Sequence, residues 1–235
     1  MSINKRILFI VTILSLCSSV ARADGLEEAV EAYQKGNYAK VLEILRPLAV
    51  QGIASAQNNL GWMYDEGKGV AQDYKEAMKW YRLAAEQGYA ASQNNLGYIH
   101  HMGKGVVQDY KEAVKWYRLA AEKRIANAQN NLGWMYDKGK GITQDYKEAV
   151  KWYRLAAKQG YATAQNNLGV MYVMGKGVTQ DYVRARMWFN LAASKGDKNA
   201  VESLERIAKE MKPTQITDAQ IMAQDCEKNN YRSCK

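Results

Sequence analysis

In 235 residues the chain carries 33 Lys and Arg against 24 Asp and Glu, a formal charge of +9, with three cysteines and two histidines. The basic excess is spread along the chain and not gathered in a tail, which implies anionic contacts at most, and the length suffices for a core built without a metal. Beyond the first 23 residues no run of about 18 apolar residues occurs, so a membrane-spanning helix is not expected.

The first 23 residues place Lys5 and Arg6 before the apolar run Ile7 to Leu16 and end in Ala21-Arg22-Ala23, with small residues where signal peptidase requires them. They read as a cleaved secretory signal, so the mature protein is expected in the periplasm or outside the cell, and export argues against a nucleic-acid partner. A lipoprotein is the nearest rival. Lipidation needs a small residue before the cysteine, and the bulky Leu16 precedes Cys17.

Residues 24–52 form an entry unit, a short helix pair joined at Gly36-Asn37, with Pro47 expected to kink the second helix. From 53 to 196 one block then returns four times. The copies ASAQNNLGWMY, AASQNNLGYIH, ANAQNNLGWMY and ATAQNNLGVMY set Asn58, Asn94, Asn130 and Asn166 at a constant step of 36 residues. A fixed period of this size means stacked supersecondary units, none of which buries its apolar face alone.

Each repeat divides into two helical stretches. In the first, Ala56, Leu60 and Tyr64 make one apolar stripe, and Gly61, which returns as Gly97, Gly133 and Gly169, predicts close approach by a neighbouring helix. A connection beginning Gly67-Lys68-Gly69 leads to Asp73, which with Glu76 resembles a capping box for the second helix; the pair returns as Asp109 with Glu112 and Asp145 with Glu148. Asp181 is followed by Arg184 instead, so that cap should be weaker. The second helix sets Trp80 and Tyr81 between Ala77, Ala84 and Ala85, and Gly88 stops it, as Gly160 and Gly196 do. Lys123-Arg124 lacks that glycine, and a local irregularity is expected there.

After Gly196 comes the exit cap, residues 197–235: a helix from Asn199 to Met211, a stop at Pro213, and another short helix from about Thr217. Cys226 and Cys234, the cysteines left after cleavage, are expected to form a disulfide, as is usual for a pair in an exported segment.

The pattern Ala56, Leu60-Gly61, Tyr64, Gly67, Gly69-Val70, Asp73, Lys75, Ala77, Trp80-Tyr81, Ala84-Ala85 and Gly88 resembles the Sel-1-like repeat, four times over from 54 to about 196. The entry unit is similar to a tetratricopeptide or a shortened unit of the same kind. The resemblance implies an all-α fold, an α/α solenoid wound as a right-handed superhelix with terminal capping helices. It also implies an interaction adaptor with no cofactor. Some relatives with a cysteine pair in each repeat are linked to β-lactam binding or hydrolysis; every repeat here lacks that pair, which lowers the enzyme reading.

Candidate chemistry is sparse. His100 occupies the core-stripe position and His101 points about 100° away on the helix, so the two do not share a metal readily. No serine after residue 23 begins a Ser-x-x-Lys motif, and Asp65-Glu66 is rebuilt as Val173-Met174 in the last repeat, so neither acylation nor acid-base catalysis is expected. Gly-Lys-Gly has no Ser or Thr after its lysine and follows no strand, which makes it a turn and not a phosphate loop. Lys75, Lys79 and Arg82, repeated as Lys111, Lys115 and Arg118 and as Lys147, Lys151 and Arg154, form a basic ladder: a solvated convex face, or a site for anionic cell-wall material.

A second stripe on the first helices carries the partner-binding candidates: Asn58, Trp62 and Asp65; Asn94, Tyr98 and His101; Asn130, Trp134 and Asp137; then Asn166 with Val170 and Val173. Recurrent amides beside a varied aromatic suit a groove that grips an extended peptide, the amides pairing with its backbone and the rings choosing its side chains. The same pattern also suits asparagines bonded to neighbouring helices and tryptophans that complete the packing.

Overall fold

The computed structural model describes residues 27–231 and 234. The proposed leader and Cys17 lie outside these residues. The described residues fold into twelve helices and no strand: α1 (27–34), α2 (Tyr38–Val50), α3 (Ala54–Glu66), α4 (Tyr74–Glu86), α5 (Ala90–Met102), α6 (Tyr110–Glu122), α7 (Ala126–Lys138), α8 (Tyr146–Ala157), α9 (Ala162–Met174), α10 (Tyr182–Ala193), α11 (Lys198–Ala208) and α12 (Pro213–Lys228). This is an all-α solenoid of helix pairs. It divides into two compact units, the first reaching Leu96 and including Lys104–Val106, the second comprising Gly97–Gly103 and everything from Val107.

In the first unit, α2 packs on α3 and α3 on α4, around a core of Leu42, Leu45, Leu60 and Met63. In the second, α7 pairs with α8 and α9 with α10 about a continuous core that ends in Met211, Ala223 and the two cysteines. Asn37 caps α2, which continues through Pro47.

The recurrent first-helix glycine marks a close approach, and the approaching group is an aromatic ring of the same repeat. A methyl group on Gly61 would lie 2.8 Å from the Tyr81 ring, one on Gly97 2.5 Å from Tyr117, one on Gly133 2.8 Å from Tyr153 and one on Gly169 2.5 Å from Phe189. Those four rings are buried. Each is a large side chain of its layer's core, and only glycine leaves room for it against the facing helix.

Three local expectations need correction. Asp73, Asp109 and Asp145 each accept the two backbone N–H groups of the first helical turn, as expected. The glutamate of the box does not reach back, however: Glu76, Glu112 and Glu148 instead pair with Lys79, Lys115 and Lys151 one turn on. Asp181 keeps a single N–H, from Arg184, and holds that guanidinium at 3.1 Å.

The second correction concerns Lys123-Arg124, where the turn is unchanged. Arg124 takes the left-handed conformation of Gly88 (φ 66° against 85°) and keeps the same backbone bonds, Arg124 N–H to Ala121 and Ile125 N–H to Ala120. The geometry is preserved with a side chain that disfavours it. Third, Pro213 opens a helix. It occupies the first position of α12, where its missing N–H is no loss and its fixed φ suits the helix, so α12 runs for 16 residues and contains Cys226.

Candidate partner-binding face

The second stripe separates into three structural roles, set by its three positions. Two of the asparagines, Asn58 and Asn130, bond across repeats. In the first unit Asn58 Oδ1 accepts from the Ser92 hydroxyl at 2.8 Å and from Asn95 Nδ2 at 3.4 Å. In the second, Asn130 Oδ1 accepts from Asn167 Nδ2 at 3.0 Å. Asn94, Asn130 and Asn166 are buried, and the Oδ1 atoms of Asn94 and Asn166 have no hydrogen-bond partner among the described residues.

The third position is buried at Asp65 and Asp137 and half-buried at His101, and its neighbour is the buried ring of the second helix. Asp65 lies beside Tyr81 and is bonded by Lys104 Nζ at 3.3 Å; Asp137 lies beside Tyr153 and pairs with Lys138 at 2.7 Å. His101 Nδ1 is 3.3 Å from the Tyr117 hydroxyl. Burial, and then the adjacent carboxylate, pushes the phenols of Tyr81 and Tyr153 well above their ordinary value; burial also raises that of Tyr117 and lowers the His101 imidazole. In the last repeat the third position is Val173 and the ring is Phe189, which has no hydroxyl. Polar third residue and hydroxylated ring thus vary together. Asp65 and Asp137 are buried beside a phenol and His101 is within hydrogen-bond distance of one, so each has a neighbour inside its own repeat as well as a place on the stripe.

The second position is what remains accessible. Tyr98 is 39% exposed. Trp134 stacks on the His101 ring with centroids 4.9 Å apart, and Tyr110 lies 5.6 Å from the same imidazole. In the first unit Trp62 meets Tyr33 edge-on at 5.7 Å and lines an apolar cavity of about 390 Å³ with Val41, Leu45 and Met63, where Ser55 and Asn59 supply the polar groups. Among the described residues no three His, Cys, Asp and Glu side chains converge on one point.

Several working residues were missed in sequence. The glutamine before each asparagine pair, Gln57, Gln93, Gln129 and Gln165, donates to the last turn of the preceding helix at Ala49, Ala85, Ala121 and Ala157, at 3.0 to 3.2 Å. Its recurrence in all four copies was the available signal. The lysine of each Gly-Lys-Gly turn lies over a tyrosine that opens an earlier second helix: Lys68 over Tyr38, Lys104 over Tyr74, Lys140 over Tyr110 and Lys176 over Tyr146, at 5.1 to 5.6 Å. The basic ladder is less free than expected, because Arg118 and Arg154 donate to the hydroxyls of Tyr136 and Tyr172 in the following repeat at 2.9 and 3.0 Å.

The family model of the Sel1 repeat matches four times, over residues 54–89, 90–124, 126–161 and 162–197. The chain belongs to the Sel1 repeat family. Among solved structures it is similar to a Sel1 repeat protein from Oxalobacter formigenes, with 39% identity and a TM-score of 0.69 over 75% of this chain and 72% of that one. It is also similar to a protective antigen present in uropathogenic Escherichia coli strains and displaying an SLR fold, with 35% identity and a TM-score of 0.73 over 89% of this chain. That match spans 45% of the antigen's length. A putative Sel1 repeat protein from Klebsiella pneumoniae, at 23% identity and a TM-score of 0.52 over 80% of this chain and 93% of that one, shares the fold. No curated protein matches the chain.

Proposed function

We propose that this Sel1 repeat protein is a non-catalytic binder of another protein or an extended peptide, acting in the periplasm or outside the cell. The observation that carries the reading is the apolar cavity at Trp62, where a stripe aromatic, Tyr33 and two short polar side chains surround space of ligand-binding size. An apolar side chain of the partner fills it, and the row of second-position aromatics supplies further anchors. Two features support export: the amino-terminal signal pattern, and the bond between Cys226 and Cys234, of the kind that persists in oxidising compartments. No helix of the described residues is long and apolar enough to cross a membrane.

The test is crosslinking capture from intact cells with the wild type and Trp62→Ala, repeated with the captured protein in purified form. Truncating an aromatic anchor in a buried interface commonly weakens binding by about 2 kcal/mol or more. A purified partner that binds folded Trp62→Ala and Trp134→Ala as tightly as the wild type would remove the stripe from the binding surface. Hydrolysis of a chromogenic β-lactam by the purified protein would overturn the non-catalytic reading.

A further inference from the structure

The last repeat departs from the rule of the others at three positions together. The earlier first helices carry Trp62 with Asp65, Tyr98 with His101 and Trp134 with Asp137; α9 carries Val170 with Val173, and the ring beneath is Phe189. The preceding repeat carries Trp134 and Asp137 at the positions where α9 has two small aliphatic side chains. A half-open cavity of about 250 Å³ lies between α9, α10 and α11. Val170, Val173, Met174, Phe189 and Ile207 form its apolar wall.

The charged lining comes from α11. Arg206 and Glu210 stand one turn apart, both exposed, and neither forms an ion pair among the described residues. Ser203, one turn before Arg206, is the short polar group in the wall, and the Tyr182 hydroxyl already accepts from Gln180 at 3.3 Å. The apolar wall offers few hydrogen-bond partners, so any polar group buried against it goes unpaired, which is costly. A hydrocarbon chain brings no such groups. Met174, 58% exposed, is an unbranched and adaptable side chain suited to closing over it.

We propose that this cavity binds the acyl chain of a fatty carboxylic acid, with the carboxylate on the Arg206 guanidinium. Guanidinium matches carboxylate in a bidentate pair, and an uncommitted one beside an apolar cavity selects an anionic head over a neutral one. The space is below the about 300 to 1,000 Å³ of drug-sized sites, so the chain it takes is of short to medium length. Glu210 opposes the same head and tempers the affinity. The site is separate from the Trp62 cavity and does not depend on it.

Methyl-resolved NMR titration of the full chain with octanoate, below its micelle concentration, tests the site. Octanoate is expected to shift the methyl signals of Val170, Val173, Met174 and Ile207 saturably, and octanol to bind several-fold more weakly. Arg206→Gln should weaken octanoate several-fold and leave octanol unchanged, while Glu210→Gln should strengthen octanoate. Val173→Trp puts bulk into the apolar wall and should abolish binding of both. Arg206 lies on the surface, so its variant is informative even where the tryptophan disturbs folding. Absence of a saturable shift, equal binding of octanoate and octanol, or a preference for N-acetyl-leucine over octanoate would overturn the proposal.

Discussion

The pairing of His101 with Tyr117 shows how one polar residue is tied to one hydroxyl. Replacing His101 by Val leaves the buried Tyr117 hydroxyl without its partner, and a stranded group of this kind costs about 1 to 3 kcal/mol. Adding Tyr117→Phe rebuilds the Val173 and Phe189 pair of the last repeat, so the double variant should recover most of that loss. Urea denaturation at pH 7.5 checks the cycle, and a double variant no more stable than His101→Val would separate the two residues. The same imidazole carries a pH dependence. Burial lowers its folded-state pKa below the ordinary 6.5, so its contribution is complete above 6.5 and is lost as pH falls through the lowered value. The rings of Tyr110, Tyr117 and Trp134 surround it, and the nearby cation is Lys140 over Tyr110, so no acid offsets protonation. The wild type should therefore lose stability between pH 7.5 and 5 relative to the double variant. Equal slopes would remove His101 from the acid response.

At the level of the helix and its turns, two glycine positions make opposite demands. Arg124 holds a left-handed turn that glycine holds in the other repeats, so Arg124→Gly should raise stability by about 0.5 to 1 kcal/mol. Gly133→Ala reverses the sign. Helix propensity alone favours alanine by about 1 kcal/mol, yet the added methyl meets the buried Tyr153 ring at 2.8 Å and the Ala149 carbonyl at 3.2 Å. Overpacking of this kind costs about 1 to 3 kcal/mol, so a net loss is expected, and a rise in melting temperature would contradict the close-approach argument. These elements also show what the sequence made legible. The repeated block, its glycine and the aspartate caps were plain because each acts through local spacing. The three-part division of the second stripe was not, because whether Asp65 faces solvent or Tyr81 depends on a ring fifteen or so residues away, and periodicity says which residues share a face without saying what covers it. Gln57 and Lys68 were passed over for a related reason: their partners lie in another helix pair.

Across the molecule, a solenoid transmits stability between neighbours, so damage at one end should stay near that end. The carboxyl-terminal tail provides the test. Cys226 and Cys234, with Cα atoms 5.0 Å apart, close a loop in which Asn230 and Tyr231 both take left-handed conformations. The Tyr231 ring lies 4.4 Å from Lys195 Nζ, and that ammonium donates to the Gly160 carbonyl at 2.6 Å. The bond thus holds a clasp from the tail across α10's end to the turn that precedes α9. Closing so short a loop stabilises the folded tail by about 2 to 3 kcal/mol in the chain-entropy model. Unreduced protein should weigh two protons less than its dithiol form. After reduction, or in the Cys226→Ser and Cys234→Ser double variant, amide exchange should accelerate in α12 and at Gly160 and Tyr161, while α7 and the buried turns of α8 keep their protection. Equal acceleration in α7 would show the second unit opening as one cooperative body, and the tail would then be part of its core and not a local clasp.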